Sequence, residues 1–199
     1  FLLFPNFQKF YMRGGVCILT GYGLRTAPII EEEVKTMTTY KTKHQSKYEL
    51  PSFFLNLCAK LKSRGITPIA LGSKNRWPAQ FWFDYLILRT VGPDYRHNLM
   101  TGKASYDDYA VKHAMSVWKD LVDKGYFTNN SNADTWTDAS DKVARGKAAM
   151  TLMGTWITGY WNGMDLKPGV DYDFFPFPIM SSGISNAVVG PVDGLVVSA

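Results

Sequence analysis

Gly146-Lys-Ala-Ala-Met-Thr-Leu-Met-Gly-Thr-Trp156 is the stretch of sequence that decides the fold. Gly146 can end a helix in the left-handed conformation that residues with side chains avoid. Ala148 to Leu152 is short and mostly apolar, as expected of a strand that is covered on both faces of a sheet. Gly154 and Thr155 then predict a turn and a helix start, which leaves Trp156 at the carboxyl end of the strand.

The sequence around this stretch predicts alternating helices and strands from Pro51 onward. Helices are predicted at 51–64, 77–91, 105–124, 138–145 and 155–162, and strands at 66–71, 148–152, 172–177, 188–189 and 195–198. The residues expected on the buried face of the third helix are Val111, Ala114, Met115, Trp118, Leu121 and Val122. Strands separated by helices indicate an α/β sheet with crossover connections.

Composition is that of a globular protein and excludes several functions. The 199 residues are enough for one domain with a sizeable core or for two small ones, and 46% of them are hydrophobic and 20% charged. The net charge of +5 is dispersed along the chain, so a nucleic-acid partner is not indicated. The three histidines and two cysteines have no ligand spacing, which predicts no metal, no cofactor and no disulfide framework. Cys58 has a helical core spacing.

Several segments, taken in order, resemble the extracellular solute-binding proteins of carbohydrate ABC importers. They are Leu61-Lys-Ser-Arg-Gly-Ile-Thr-Pro-Ile-Ala-Leu71, Trp77-Pro, Phe83-Asp-Tyr-Leu86, Leu121-Val-Asp-Lys-Gly-Tyr-Phe127, the 146–156 stretch, Asp173-Phe-Phe-Pro-Phe-Pro178 and Gly190-Pro-Val-Asp-Gly-Leu-Val-Val-Ser198. The resemblance covers about residues 53–199. It implies a type II periplasmic-binding-protein-like fold, in which two α/β lobes enclose a ligand cleft.

In such a fold, residues 51–199 would form the second lobe, with a returning hinge strand at 195–198. The chain begins without Met and stops inside this predicted strand, so we expect it to be a piece of a longer protein. Residues 1–50 are poorly assignable and depart from the family pattern. They are either a remnant of the first lobe or the product of a frame error. If the upstream DNA encodes an intact family-like sequence in another reading frame, the frame-error explanation is supported. If it does not, that explanation is excluded.

The two aromatic residues that follow strands are the main candidates for ligand binding. From the pattern alone Trp156 is better explained as core, since tryptophan is heavily buried on average. The resemblance implies instead that it stacks on the apolar face of a sugar ring, with Gly154 and Thr155 holding the turn beside the cleft. Trp77 follows a polar loop, Gly72 to Arg76, and fits either a cleft contact or a core position.

Three polar residues are further candidates, each with a simpler alternative. Asn75 and Arg76 lie in the loop before Trp77, where they would reach sugar hydroxyls or simply be solvated. Asp193 precedes the predicted hinge strand, where its carboxylate would accept hydroxyl hydrogen bonds or only form a turn. The helix containing Phe81, Trp82 and Tyr85 is expected to be mostly core, with one of these rings available to line the cleft.

The resemblance implies a monomeric, exported protein, lipid-anchored at the cell surface or periplasmic, that captures a sugar or oligosaccharide and delivers it to an ABC permease. It is expected not to be an enzyme. One alternative is a carbohydrate-active enzyme such as a glycoside hydrolase, because two carboxylates at the required separation cannot be recognised in a linear sequence. The other alternative is a fragment without independent ligand binding.

Overall fold

A computed structural model of the chain describes residues 17–21, 49–190 and 194–197, the first range as backbone only. The strands are β1 (Cys17–Gly21), β2 (Thr67–Ala70), β3 (Ala148–Met153) and β4 (Tyr172–Pro176). The helices are α1 (Ser52–Ser63), α2 (Trp77–Thr90), α3 (Pro93–Met100), α4 (Tyr109–Asp123), α5 (Trp136–Ala144) and α6 (Ile157–Asn162). The mixture of strands and intervening helices confirms the predicted α/β class.

The four strands form one sheet in the order β2-β3-β1-β4. β2 and β3 are parallel, whereas β1 is antiparallel to both β3 and β4, so β2, β3 and β4 run in the same direction. All six residues of β3 are buried, as the apolar run predicted for a strand covered on both faces. The carboxyl ends of β2 and β3 therefore lie side by side at one edge of the sheet.

Gly146 ends helix α5 in the way its position predicts. Its φ is +66°, and its amide donates to the carbonyl of Val143 at 2.9 Å. The next amide, that of Lys147, donates to the carbonyl of Lys142 at 2.8 Å. These two bonds satisfy carbonyls that the last helical turn leaves without partners. The chain is thereby turned directly into β3.

The core lies between the sheet and its helices, and α1 shows how the sequence pattern produces it. Phe54, Leu57, Cys58 and Leu61 are all fully buried on one face of this helix. Burying each of the three larger side chains contributes about 1.5–3 kcal/mol. Desolvation raises the pKa of the Cys58 thiol to about 12, so this group is a packing residue and not a nucleophile at neutral pH.

Helix α4 differs from its predicted pattern at two positions. It packs against α2 through a buried face that includes Val111, Ala114 and Leu121. Met115 and Val122 were predicted on this face but are 45% and 53% exposed. Each follows a buried position by one residue, which is a rotation of about 100° around the helix. The apolar spacing alone did not distinguish the centre of the face from its edge.

Two predicted strands near the end of the described chain are not seen. The prediction of a strand at 188–189 was wrong, because these residues form an irregular segment against α2. Residues 194–197 have no strand partner among the described residues, and Leu195, Val196 and Val197 are 102%, 95% and 89% exposed. The hinge strand at 195–198 stays a prediction.

Five residues of the N-terminal segment belong to the same sheet as the rest of the chain. Cys17 pairs with Met153 of β3 and with Pro176 of β4, which makes β1 an internal strand. A domain boundary at residues 50 and 51 would therefore cut through one sheet. Whether residues 1–50 are a first-lobe remnant or a frame error stays a prediction, since 1–16 and 22–48 lie outside the described residues.

Candidate functional site

Trp77 and Trp156 meet at the carboxyl edge of the sheet. Trp77 begins α2 after the loop that follows β2, and Trp156 stands directly before α6 after the turn that follows β3. Because β2 and β3 are parallel neighbours, both loops emerge at the same edge. This edge is where open α/β sheets bind ligands. A groove of about 990 Å³ lies there, with both indoles in its lining.

Three aromatic rings form one wall of the groove. The ring centroids of Trp77 and Phe81 are 5.6 Å apart, and each lies 6.1 Å from the centroid of Trp156. Trp136 extends the wall, at 6.3 Å from Trp77. Trp156 is 43% exposed, so a substantial part of its surface is open to solvent. Trp82 and Tyr85 of the same helix are buried in the core, and Phe81 is the one of the three rings that lines the groove.

Gly154 leaves open the space that the Trp156 indole occupies. A Cβ on residue 154 would lie 1.9–2.2 Å from three carbons of the indole ring, so only glycine leaves room for it. The ring therefore folds back over the backbone of its own turn. The carbonyl of Gly154 also accepts a hydrogen bond from the amide of Ile157 at 3.1 Å, which begins the first turn of α6. Thr155 is exposed, and its carbonyl accepts from the Thr158 hydroxyl at 2.8 Å.

Trp136 is held in the wall by the start of α5. The Thr135 hydroxyl accepts from the Asp138 amide at 3.1 Å, while the Asp138 carboxylate accepts from the Thr135 amide at 2.8 Å. This capping box satisfies two amides at the helix start, and the bonds from Thr135 lower the pKa of Asp138. A Cβ on Gly72 would lie 1.9 Å from the Thr135 carbonyl oxygen. The glycine thus lets the loop before Trp77 approach the start of α5.

One face of α2 leads from the aromatic wall to a polar end of the groove. Gln80, Asp84 and Leu88 line the groove together with Trp77 and Phe81. These residues recur at helical spacing, three or four positions apart, so they lie on the same side of α2. The wall and the polar end are therefore carried by one rigid helix.

The polar end is an ion pair between Asp84 and Arg96. The Arg96 Nε donates to one carboxylate oxygen at 2.9 Å and Nη2 donates to the other at 2.8 Å. These hydrogen bonds raise the pKa of Arg96, so the guanidinium stays charged. Gln80 adds a longer contact from its amide to the same carboxylate at 3.5 Å. Asp84 is 5% exposed, and such a bidentate pair is well ordered as well as charge-compensated.

The opposite edge of the groove is the segment Ala187–Gly190, which two buried residues of α2 hold in place. The Arg89 side chain donates to the carbonyls of Phe177 at 3.2 Å and Ala187 at 2.6 Å. The Tyr85 hydroxyl accepts from the Val189 amide at 3.2 Å. Burial lowers the pKa of Arg89 to about 10, still high enough for a cation at neutral pH.

The structure brings together only some of the residues that the sequence selected. Trp77 and Trp156 line the groove, while Gly154 lies under the indole and Thr155 points to solvent. Asn75 and Arg76 are exposed and do not line it. Arg76 has a φ of +66° and borders a separate concavity of about 330 Å³. Asp193 lies outside the described residues.

The groove is also lined by residues that the sequence did not predict as ligand contacts. They are Gln80, Asp84, Leu88, Pro93, Arg96, His97, Met100, Trp136 and the segment 187–190. The spacing of Gln80, Asp84 and Leu88 relative to Trp77 on one helix was a usable signal for three of them. Arg96 had no such signal, because it reaches Asp84 across the break between α2 and α3.

Among the residues that the structure describes, no helix combines the length and apolarity needed to cross a bilayer. No three or more His, Cys, Asp or Glu side chains are grouped there in a way that would hold a metal ion.

The chain belongs to the bacterial extracellular solute-binding protein family, whose model matches residues 52–199. It is 37% identical over 130 residues to an uncharacterised ABC transporter extracellular-binding protein of Pyrococcus horikoshii, which covers 65% of this chain and 28% of that protein. It is also 30% identical over 127 residues to a protein of Mesorhizobium japonicum named a probable sugar-binding periplasmic protein. This match covers 63% of this chain and 30% of that protein.

A solved structure supports the same fold. A bacterial solute receptor, described as exclusively preferring β-D-galactopyranose, superposes with a TM-score of 0.68 at 24% identity over 87% of this chain and 40% of that receptor. The predicted periplasmic-binding-protein-like fold is thereby confirmed. The chain spans less than a third of the length of the two curated relatives. Its assignment to the second lobe stays a prediction.

Replacing Gly154 by alanine should displace the Trp156 ring. The added Cβ would overlap three indole carbons, and the ring is the more mobile partner because it is partly exposed. We expect a folded protein with a weakened near-ultraviolet circular dichroism signal from the aromatic wall. Gly159→Ala is the matched control, since nothing lies within 4 Å of its Cβ position. An unchanged spectrum for Gly154→Ala would contradict the assigned ring position.

Replacing Tyr85 by phenylalanine should loosen the 187–190 edge of the groove. The Val189 amide loses its phenol acceptor, which costs about 1 kcal/mol in the free energy of unfolding. Hydrogen exchange at Val189 should accelerate. Tyr160→Phe removes a comparable hydroxyl, bonded to Asp141, and should leave Val189 exchange unchanged. Equal protection of Val189 in both variants would show that Tyr85 does not hold this edge.

Proposed function

We propose that this chain supplies one wall of the sugar-binding cleft of an ABC-importer solute-binding protein. The observation that carries the proposal is the partly exposed indole of Trp156, which stands with Trp77 and Phe81 in one aromatic wall. The C–H groups on one face of a pyranose are apolar and match the face of such a ring. The Asp84 and Arg96 side chains at the other end of the groove supply hydrogen-bonding groups for hydroxyls.

The relatives support a carbohydrate over other solutes. The Mesorhizobium japonicum protein is named sugar-binding, and the structurally similar receptor is described as preferring β-D-galactopyranose. Neither name fixes the sugar bound here, because identity to these two proteins is 30% or less. The proposal is therefore a sugar or oligosaccharide, without a named one.

In the whole protein, the other lobe would cover the sugar held on this wall. Closure would follow from the preference of the ligand for the state in which both lobes contact it. The closed, loaded form would then dock on an ABC permease and release its sugar there. This role places the protein outside the cytoplasmic membrane, either periplasmic or lipid-anchored at the cell surface, and requires no assembly beyond a monomer.

The groove lining argues against glycoside hydrolysis. Both retaining and inverting enzymes need two carboxyl groups across the scissile bond. Among the described lining residues, Asp84 is the single carboxylate, and both of its oxygens already accept from Arg96. We propose binding without catalysis.

Incubation with oligosaccharides distinguishes binding from hydrolysis. We expect the protein to show a rise in melting temperature with a bound sugar, since a ligand that binds only the folded state stabilises it. Chromatography of the sugar after prolonged incubation should show no cleavage products. Product formation that persists in Asp84→Asn would point to carboxylates elsewhere, and loss of product in that variant would make Asp84 catalytic. A melting temperature unmoved by every sugar would favour a fragment without independent binding.

Replacing Trp156 by alanine should weaken sugar binding by about tenfold to hundredfold. The estimate follows from losing one large apolar contact of about 1.5–3 kcal/mol, at about 1.4 kcal/mol per factor of ten. Trp156→Phe keeps a ring and should recover part of the affinity, measured by calorimetry. Tyr109→Ala serves as the control, because Tyr109 is 74% exposed and outside the groove. Unchanged affinity in Trp156→Ala would refute the stacking role.

A further inference from the structure

We propose that the groove selects an uncharged sugar over acidic and amino sugars, and that the Asp84–Arg96 ion pair sets this preference. The proposal rests on the sugar-binding function argued above and concerns the same groove. Three observations support it: the charges of the lining residues, the geometry of the ion pair, and the donors and acceptors that Asp84 and Arg96 do not use for each other.

The described lining of the groove has no net charge. Asp84 and Arg96 are its only formally charged residues when histidine is counted as neutral. The remaining lining is aromatic, aliphatic or amide. The whole chain carries a net charge of +5, which taken alone would suggest an attraction for acidic ligands. The groove lining does not share this excess of positive charge, so a ligand in the groove does not experience the electrostatic attraction that the net charge of the chain would suggest.

The two charges compensate each other at contact distance. Both carboxylate oxygens face the guanidinium, at 2.9 and 2.8 Å from its nitrogens. A uronate entering the groove would therefore find no unpaired cation and would have the Asp84 carboxylate nearby. A protonated amino sugar would find no unpaired anion and would have Arg96 nearby. Either would lose hydration of its charge without gaining a partner, which disfavours its binding.

The pair still has hydrogen-bonding capacity for neutral hydroxyls. A guanidinium carries five N–H donors, and two of those on Arg96 are used for Asp84. The carboxylate has more lone pairs than the contacts from Arg96 and Gln80 occupy. The Arg96 side chain is 23% exposed, so these groups can be reached from the groove. A sugar hydroxyl donates and accepts at once, which suits a site that offers both.

Matched sugars of different charge test the preference. The neutral probes are galactose, glucose, xylose, maltose and raffinose; the anionic probes are galacturonate and glucuronate; the cationic probes are galactosamine and glucosamine. Isothermal calorimetry should give a neutral sugar at least tenfold tighter binding than its charged counterparts. Equal or tighter binding of a uronate or amino sugar would overturn the proposal and leave sugar binding intact. Binding of no sugar at all would overturn the proposed function and this proposal with it.

Charge-changing variants test whether the ion pair is responsible. Asp84→Asn leaves Arg96 uncompensated and should improve uronate binding about tenfold, with an affinity that falls as salt is raised. Arg96→Gln leaves Asp84 uncompensated and should shift the preference toward amino sugars. The double variant, Asp84→Asn with Arg96→Gln, restores neutrality and should return the preference to neutral sugars. If one single variant, with its buried charge unpaired, does not fold, the other single variant provides the test.

Asp120→Asn is the matched control for these variants. It changes the charge of the chain by the same amount as Asp84→Asn but lies in an exposed pair with Lys124, outside the groove. Its sugar preference should equal that of the wild type. A gain in uronate affinity as large as that of Asp84→Asn would assign the effect to overall charge and overturn the role of the ion pair. Unaltered preference in both single variants would overturn it as well.

Discussion

The Trp156 indole occupies the space that a Cβ on residue 154 would fill, and the groove depends on this steric constraint. The glycine lets the ring lie on its own turn, where Trp77 and Phe81 then pack against it at 6.1 Å. An aromatic side chain has few rotatable bonds, so a ring fixed in this way loses little further entropy when a ligand covers it. The constraint thus produces a preformed wall from two separate parts of the chain.

The parts of this site that the sequence predicted are those set by local rules. Gly146 was expected to end a helix and does so with a φ of +66°, and the apolar run after it forms the buried strand β3. The positions of Trp77 and Trp156 follow from the strands that precede them. Each of these features depends on a few neighbouring residues, which a linear sequence displays directly. The family resemblance added the fold and the proposal that Trp156 contacts a ligand.

The parts that the sequence did not predict depend on distant contacts. Arg96 reaches Asp84 across a helix break, and Trp136 reaches Trp77 because Gly72 permits a close approach to the start of α5. Arg76 is adjacent to Trp77 in sequence, yet it borders a different concavity because its backbone has a positive φ. Such outcomes are set by tertiary packing, for which no local spacing provides a rule.

The internal position of β1 has a consequence for how this chain reaches its fold. Most of the described chain lies between β1 and its partners, β3 and β4. These pairings therefore have a high contact order, and we expect them to form slowly. Until then β3 and β4 both present unpaired edges to other chains. The sheet is completed only when strands from distant parts of the chain meet, so we expect aggregation and refolding yield to depend on how long that encounter takes.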